Sequence, residues 1–538
     1  MKFLNKLCIA ILVATAATGC KKLDLTPTDK FSDLTFWTVD ANVYNALNNN
    51  YSLIYNSNIY FYNESLSDNA YSSTGDFSSI AGGNFTASQA KFINDWTYYY
   101  STIKSCNLFL AGVDQNKNLA PAVIARLKAE TRFIRAFEHF NLAKWYGDVP
   151  LIDKDINPDE AKVITRSPKA TVIKFVIDEL EAAVADLPTK DQLPAAENGR
   201  ITKGAALALE ARVLLYEGNR MADVVAVCDR IMNGQAGSYG LVANYNDLFS
   251  SPTVNKTNNE AILSVQYVPS VRTWGEFFDF APRSVGGRVS GMAPTQELVD
   301  SYITLNGKGI SEAGSGYAET NPYVNRDPRL TATVVYDKYG WVKPDGTSKT
   351  IYIKPGTDPD AARLDEYNPS SQASSPTGYY WRKYYDPIAQ TGFASGSNLH
   401  LFRYAEVLLN YAEAKQSLGQ MDATVWNNTI ALLRKRAGFT DAGALAFPGT
   451  ADLTNIIRRE RRAELAMEGL RTDDIRRWKI AETVMNGFAH GAKFSDPGVD
   501  NGYIRAQKRQ FDPAKDYLWP IPSSEIGLDP NLTQNPGY

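Results

Sequence analysis

Two stretches of this sequence concentrate the residue types that hold a flat, hydroxyl-rich ligand. The first is Arg272-Thr273-Trp274-Gly275-Glu276-Phe277-Phe278-Asp279-Phe280, with four aromatic rings inside seven positions. The second runs from Asp68 to Phe85, where Tyr71 and Phe77 stand among Asn, Ser and Gly. An aromatic face is an apolar platform for the apolar face of a sugar ring, and Asp, Asn, Gln and Arg bond the hydroxyls around its edge. Rings this close along the chain cannot all face one core, so one or two are expected at the surface. The candidate contacts are Trp274, Tyr71, Phe77 and Phe278, with Asp68 and Asn69 on the rim. A loop cluster tucked inside the protein is the competing expectation for each of them.

Other chemistry finds little support. There are three histidines, His139, His400 and His490, and no His-Glu-x-x-His pair. His139, beside Phe140, reads as a packed or capped histidine, because no partner stands at ligand spacing. No Gly-x-Ser-x-Gly elbow, phosphate loop or dinucleotide fingerprint occurs, and the pair Gly286-Gly287 before Arg288 means little alone. Glycoside hydrolysis needs two carboxylates a few Å apart, and among 59 Asp and Glu nothing singles out a pair. No catalytic residue, metal or cofactor is therefore expected. The charge-dense run Arg458 to Glu464, continued by Glu468, Arg471, Asp473, Asp474, Arg476 and Arg477, interleaves both signs. Opposite charges three and four apart predict ion pairs within and between helices rather than an anion site. A net charge of −3 leaves no basic surplus for phosphates, which excludes nucleic acid as a partner.

The elements that must position such loops are mostly helical. Residues 1–19 read as a lipoprotein signal peptide: Lys2 and Lys6, then a short apolar stretch from Leu7 to Ala17. Ala17-Thr18-Gly19-Cys20 resembles a lipobox, with Cys20 the lipidated residue and 20–35 a tether. No other apolar run reaches the length of a membrane span. Region 36–249 reads as helical, with helices over 96–113, 121–146, 171–186 and 202–217 and a long ordered, non-helical ligand-side loop over 57–95. Region 250–398, rich in Gly, Pro, Ser, Asn and aromatics, reads as an irregular insertion with short strands at 261–268, 331–336 and 350–353. Region 399–538 returns to helix at 400–418, 422–437, 451–469 and 473–485, and is extended and Pro-rich from Tyr517. The fold class is mostly α: helical hairpins resembling tetratricopeptide units, with a large irregular insertion. Of four cysteines, Cys106 and Cys228 remain beyond the signal and anchor, either as one disulfide or as two buried thiols.

Several long blocks, in order, resemble the SusD/RagB family of Bacteroidetes outer-membrane lipoproteins. They are Leu23-Asp24-Leu25-Thr26-Pro27 with Phe36-Trp37, AETRFIRAFEHFNLAKWYGDVPLI over 129–152, and RITKGAALALEARVLLYEG over 200–218. LFRYAEVLLNYAEAKQSLG over 401–419, RERRAELAMEGLRTDDIRRW over 459–478 and the closing YLWPIPSSEIGLDPNLTQNPGY complete the set. The resemblance implies tetratricopeptide-like helical pairs carrying a variable half. It implies cell-surface exposure on the outer membrane through a lipid anchor, and a SusC-like TonB-dependent transporter as partner. It implies capture of an oligosaccharide, or in some relatives a peptide, without catalysis. Family blocks are scaffold, so the six loop residues above rest on composition alone. A surface glycoside hydrolase and a protein-binding helical scaffold are the competing functions.

Overall fold

The computed structural model describes residues 33–343, 345–389, 392–449 and 452–538. The signal segment, Cys20 and all but the end of the tether lie outside the described residues.

The helical body forms where the spacing of apolar residues demands it. After α1 (Asp40–Ser52) come α2 (Ala90–Gly112), α3 (Pro121–Tyr146), α4 (Lys169–Asp186), α5 (Lys203–Glu217) and α6 (Met221–Met232). In α3, Pro121 fills the first turn, where its missing N–H costs nothing. Ala129, Phe133, Ala136, Phe137 and Phe140 line its buried face, and Gly147, at φ +76°, ends it. α5 is buried almost all round, as its uniformly apolar sequence requires. Consecutive helices pack in pairs, α2 on α3, α3 on α4, α4 on α5, α5 on α6. Past the insertion the series resumes with α7 (Tyr404–Ser417), α8 (Ile430–Ala437), α9 (Leu453–Leu465) and α10 (Arg471–Arg477), and α7 packs on both α6 and α9. This is the helical-hairpin architecture expected. One close approach fixes the start: a Cβ on Gly112 would come 2.0 Å from the Trp37 ring, so only glycine lets α2 end against that indole.

The short strands form two-stranded antiparallel sheets: β1 (Ala70–Ser72) with β3 (Met292–Pro294), β2 (Ala261–Val265) with β8 (Leu399–Arg403), β4 (Val334–Val335) with β7 (Tyr380–Trp381), β5 (Tyr339–Val342) with β6 (Ser348–Ile351), and β9 (Gly487–His490) with β10 (Arg505–Arg509).

Several expected boundaries need correction. Segment 57–95 is no loop without helix: it folds as helices Ser57–Tyr62 and Gly75–Ala81 around a 3-10 turn and β1, and α2 starts inside it. Residues 400–403 are strand, not helix, because all five residues of β8 are buried and a buried strand carries the same apolar run as a helix. Residues 331–333 close the short helix Pro328–Thr333, capped by the Asp327 side chain, before β4 begins. The stretch 422–437 breaks at Thr429 (φ −130°, ψ −88°), and a short helix, Ser523–Leu528, interrupts the tail. Cys106 and Cys228 are separate buried thiols, and burial raises the pKa of both.

The charge-dense run forms ion pairs, as predicted, but buried ones that reach into the insertion. Arg403 donates to Glu260 (2.8 Å), Glu464 (2.6 Å) and Glu468 (2.7 Å). Arg329 donates to Asp327 (2.8 Å), Glu460 (2.6 Å) and Glu464 (3.0 Å). Arg434 pairs with Glu460, Arg436 with Glu260 and Glu464, and Lys383 with Glu468. These five cations and five carboxylates balance. Nearby, Arg461 and Arg477 share Asp474, and Arg477 also holds Glu413.

Two ion-paired side chains, Glu413 and His490, set opposite limbs of the stability profile. Burial pushes the Glu413 carboxyl up, but the Arg477 charge and its hydrogen bonds outweigh that and hold it down at about 2, against an ordinary 4.5. A carboxylate depressed on folding stabilises fully above its unfolded value and loses that contribution as pH falls through the folded one. His490 works in reverse. Its Nδ1 lies 2.6 Å from Glu297 and its Nε2 2.8 Å from Asp500. Ionised carboxylates only accept, so the ring satisfies both when it carries two protons. The Glu297 bond, opposed by partial burial and aided by Asp500, raises its pKa above 6.5. Its stabilisation is complete below 6.5 and disappears as pH rises through the raised value. Urea-unfolding midpoints across pH should therefore decline below about 4.5 and again on the alkaline side of about 6.5. Glu413→Gln should flatten part of the acid limb, and His490→Asn the alkaline limb.

Candidate functional site

The two aromatic segments meet. Tyr71 of β1 sits opposite Ala293 of β3, and Ser72 opposite Met292. The Ser72 hydroxyl donates to the Gly291 carbonyl (2.8 Å), and Thr295 Oγ1 donates to the Asp68 carbonyl (2.6 Å). Ser57 at the start of its helix donates to Glu276 (2.8 Å). Residues 57–85 and 272–295 thus form one seam, although about two hundred positions separate them in sequence.

Their rings, however, face each other. Trp274 is 4% exposed; its ring lies 5.0 Å from that of Phe61 and its Nε1 donates to the Ser397 carbonyl (2.7 Å). Phe278 is 1% exposed and touches Phe277. Phe77 is buried in a stack with Tyr62, ring centres 5.2 Å apart. Asp68 is buried beneath Arg471 (2.8 Å) and Arg462 (3.0 Å). Burial pushes its carboxyl up, but the two arginines reverse that and hold it well below the usual range. Asn69 is fully buried, donating to Glu64 and accepting from Arg462 (both 2.6 Å). Trp274, Phe278, Phe77, Asp68 and Asn69 therefore fasten the seam and are not its outer platform. The physical reason is area: each ring gains more from packing against another loop than from open water. Tyr71 alone of the six keeps intermediate exposure.

What the seam turns outward is a different group. Gly286 adopts φ +105°, and a Cβ on Gly287 would come 2.1 Å from the Ala281 carbonyl oxygen, so this glycine pair makes a turn closed to other residues. The turn returns Arg288 to Asp279, to which its Nε and Nη2 donate at 2.9 and 3.0 Å; Nη2 also donates to the Gly275 carbonyl (3.1 Å). Burial raises the Asp279 carboxyl and the Arg288 charge opposes it. The guanidinium lies 5.0 Å from the centre of the Phe393 ring, which is 42% exposed and rests edge-on against Phe278. Glu276 stands in the same loop. A half-exposed ring beside a fixed guanidinium–carboxylate pair offers one stacking face with donors and acceptors at its edge. Sequence reasoning passed over Arg288 and Phe393; the Gly286-Gly287 pair was the available signal for the first, and nothing local marked the second.

Elsewhere, a cleft of about 550 Å³ between α2 and the C-terminal tail is mainly apolar, with Trp96, Tyr100, Ile152 and Leu532 on its walls. His139 and His400 are buried and hydrogen-bonded to the backbone carbonyls of Arg135 and Leu248, and burial lowers both to about 4. Among the described residues no group of three or more His, Cys, Asp and Glu side chains gathers as for a metal ion.

Comparison with known proteins supplies the context. Residues 256–538 match the family model described as the SusD family, and residues 22–215 the model described as starch-binding associating with outer membrane. SusD-like protein P2 of Formosa agariphila is 25% identical, over 98% of this chain and 98% of its own. The crystal structure of a SusD-like carbohydrate binding protein from Bacteroides fragilis is 31% identical, with a TM-score of 0.82 over 93% of this chain and 100% of that one. A laminarin binding SusD-like protein shares the fold, at 23% identity and a TM-score of 0.67 over 93% and 99% of the two chains.

The inward and outward roles predict different losses. Trp274→Ala should destabilise the protein by about 3–5 kcal/mol, the range for a buried large aromatic. Phe393→Ala should cost only about 1 kcal/mol, because the residue is 42% exposed and its contacts are few. Urea denaturation of both variants checks this; equal stabilities would return Trp274 to the surface.

Proposed function

The chain belongs to the SusD family, and from that premise we propose that it is a cell-surface glycan-binding lipoprotein that captures an oligosaccharide and hands it, uncut, to a SusC-like TonB-dependent transporter. The observation that carries this is the outward face of the seam, where Phe393, Arg288 and Asp279 stand together. A sugar ring laid on Phe393 gains dispersion and hydrophobic contact on one face. Arg288 and Asp279, already fixed by each other, need little reordering to bond its hydroxyls. The ring and the pair belong to loops held by a rigid helical body, which is the arrangement in which binding residues vary while the scaffold stays constant.

The family's outer-membrane association agrees with this role. No helix among the described residues is long and apolar enough to cross a membrane. Lipid attachment at Cys20 is the anchor we propose. A peptide or glycopeptide cargo is the alternative to a glycan, and a glycan-cleaving enzyme the less favoured one.

Soluble protein lacking Cys20, run in affinity gels against a panel of neutral polysaccharides and then in calorimetry on each hit, tests the proposal. Binding without release of sugar is the expected result. Phe393→Ala and Arg288→Ala should each weaken it by about three- to tenfold, the worth of one aromatic contact or one good hydrogen bond. Release of sugar from the polymer would instead establish an enzyme. Binding untouched by either variant would remove the seam from the function, and peptide binding with no glycan binding would select the other cargo.

A further inference from the structure

A second cleft, of about 460 Å³, opens where the helical body meets the insertion. It is walled by the helix Pro328–Thr333, the end of α8 and β5, and its lining contains three arginines, Arg329, Arg382 and Arg436, and no acidic residue. Arg329 and Arg436 belong to the buried network, whose charges already balance. Arg382 does not. Among the described residues no carboxylate pairs with it, and its Nη1 is buried with no hydrogen-bond partner. Its guanidinium lies 4.7 Å from the ring centre of Trp341 and 4.7 Å from that of Tyr385, so its position is set by aromatic faces and not by an anion. The polar group beside it is the neutral Tyr339 phenol, whose hydroxyl donates to the Thr331 carbonyl (2.9 Å). Arg436 also keeps a buried Nε without a partner.

A guanidinium N–H withdrawn from water and left unpaired is costly, and the cost is recovered when an oxyanion accepts it. Aromatic contact with the cation leaves that N–H available. The cleft is also larger than a bare ion requires and lies within the range of small-ligand sites. The Tyr339 ring, Ala332 and Pro328 give it an apolar wall, and Asn244, Asn246 and Thr331 give it hydroxyl partners. We propose that this cleft binds an acidic sugar, its carboxylate or sulfate held by Arg382, at a site separate from the Phe393 seam.

The test uses the same soluble protein, with glucuronate, galactose 6-sulfate and galactose as probes and inorganic sulfate for comparison, in calorimetry at low and high salt. An acidic sugar should bind at least about tenfold more tightly than the neutral one, and salt should weaken it. Arg382→Gln should abolish that preference, Arg382→Lys should keep part of it, and Arg288→Ala should leave the affinity for the acidic sugars intact. Binding of only the carboxylated or only the sulfated sugar supports the site and identifies its anion. Binding of inorganic sulfate as tightly as the acidic sugars would mean an adventitious ion only. Equal binding of acidic and neutral sugars, no binding of any acidic sugar, or full binding by an Arg382→Gln protein with an unchanged urea midpoint would overturn the proposal. Loss of acidic-sugar binding in Arg288→Ala would instead assign it to the seam.

Discussion

The contacts among Arg403, Glu464 and Glu468 are the constraint on which the rest of the molecule depends. Arg403 ends β8 and starts α7, Glu464 closes α9, Glu468 follows it, and Glu260 precedes β2. Three segments far apart in sequence, around residues 260, 403 and 464–468, are thereby fixed at one buried point. Charges taken out of water give little net stability when fully paired, but removing one partner strands the others at about 3–5 kcal/mol. The network therefore penalises wrong arrangements more than it rewards the right one. That suits an insertion with few regular hydrogen-bond ladders, whose path must be specified by something other than strand pairing. Arg329 and Lys383, both inside the insertion, enter the same network through Glu460, Glu464 and Glu468.

How much of this the sequence discloses depends on whether an element is governed by local spacing. α3 and α5 are: an apolar residue every three or four positions has one stable solution, and the Gly147 and Gly218 stops lie where a left-handed or sharply turned residue is needed. β8 is not, because Leu399–Arg403 is buried on both faces and such a strand is indistinguishable from a buried helical turn until its partner β2 is known. The interleaved charges around Arg458–Arg477 announce ion pairs, but their partners Glu260, Arg329, Lys383 and Arg403 come from outside the run and no spacing rule connects them. The six loop residues illustrate the same limit from the other side. Composition correctly finds the two segments that converge, yet it cannot say that Trp274 and Phe61 will face each other, since that follows from where the helical body holds each loop.

The burial of those rings has a consequence for binding. A surface that captures ligands repeatedly must keep its shape between them, and large rings sealed between two loops supply that rigidity through area removed from water. Trp274 and Phe77 seal the two loops together, and Phe278 lies edge-on against Phe393 and holds that ring in place from beneath. Phe393, with under half of its surface free, retains enough packing against Phe278 to stay oriented and enough face to receive a ring.

Arg288 on the seam and Arg382 in the cleft then differ in one respect that determines what each can take. Arg288 is neutralised by Asp279 through two hydrogen bonds, so a ligand meeting that pair encounters donors and acceptors but no net charge. An anion placed there would face the Asp279 carboxylate as well as the guanidinium, and the repulsion would cancel most of the attraction. Neutral hydroxyls meet no such opposition. Arg382 has aromatic rings on its faces and no carboxylate at its edge, so a neutral ligand would leave its charge uncompensated while an oxyanion would not. The pairing state of each guanidinium, more than the count of aromatics around it, therefore sorts neutral from acidic sugars between the two faces.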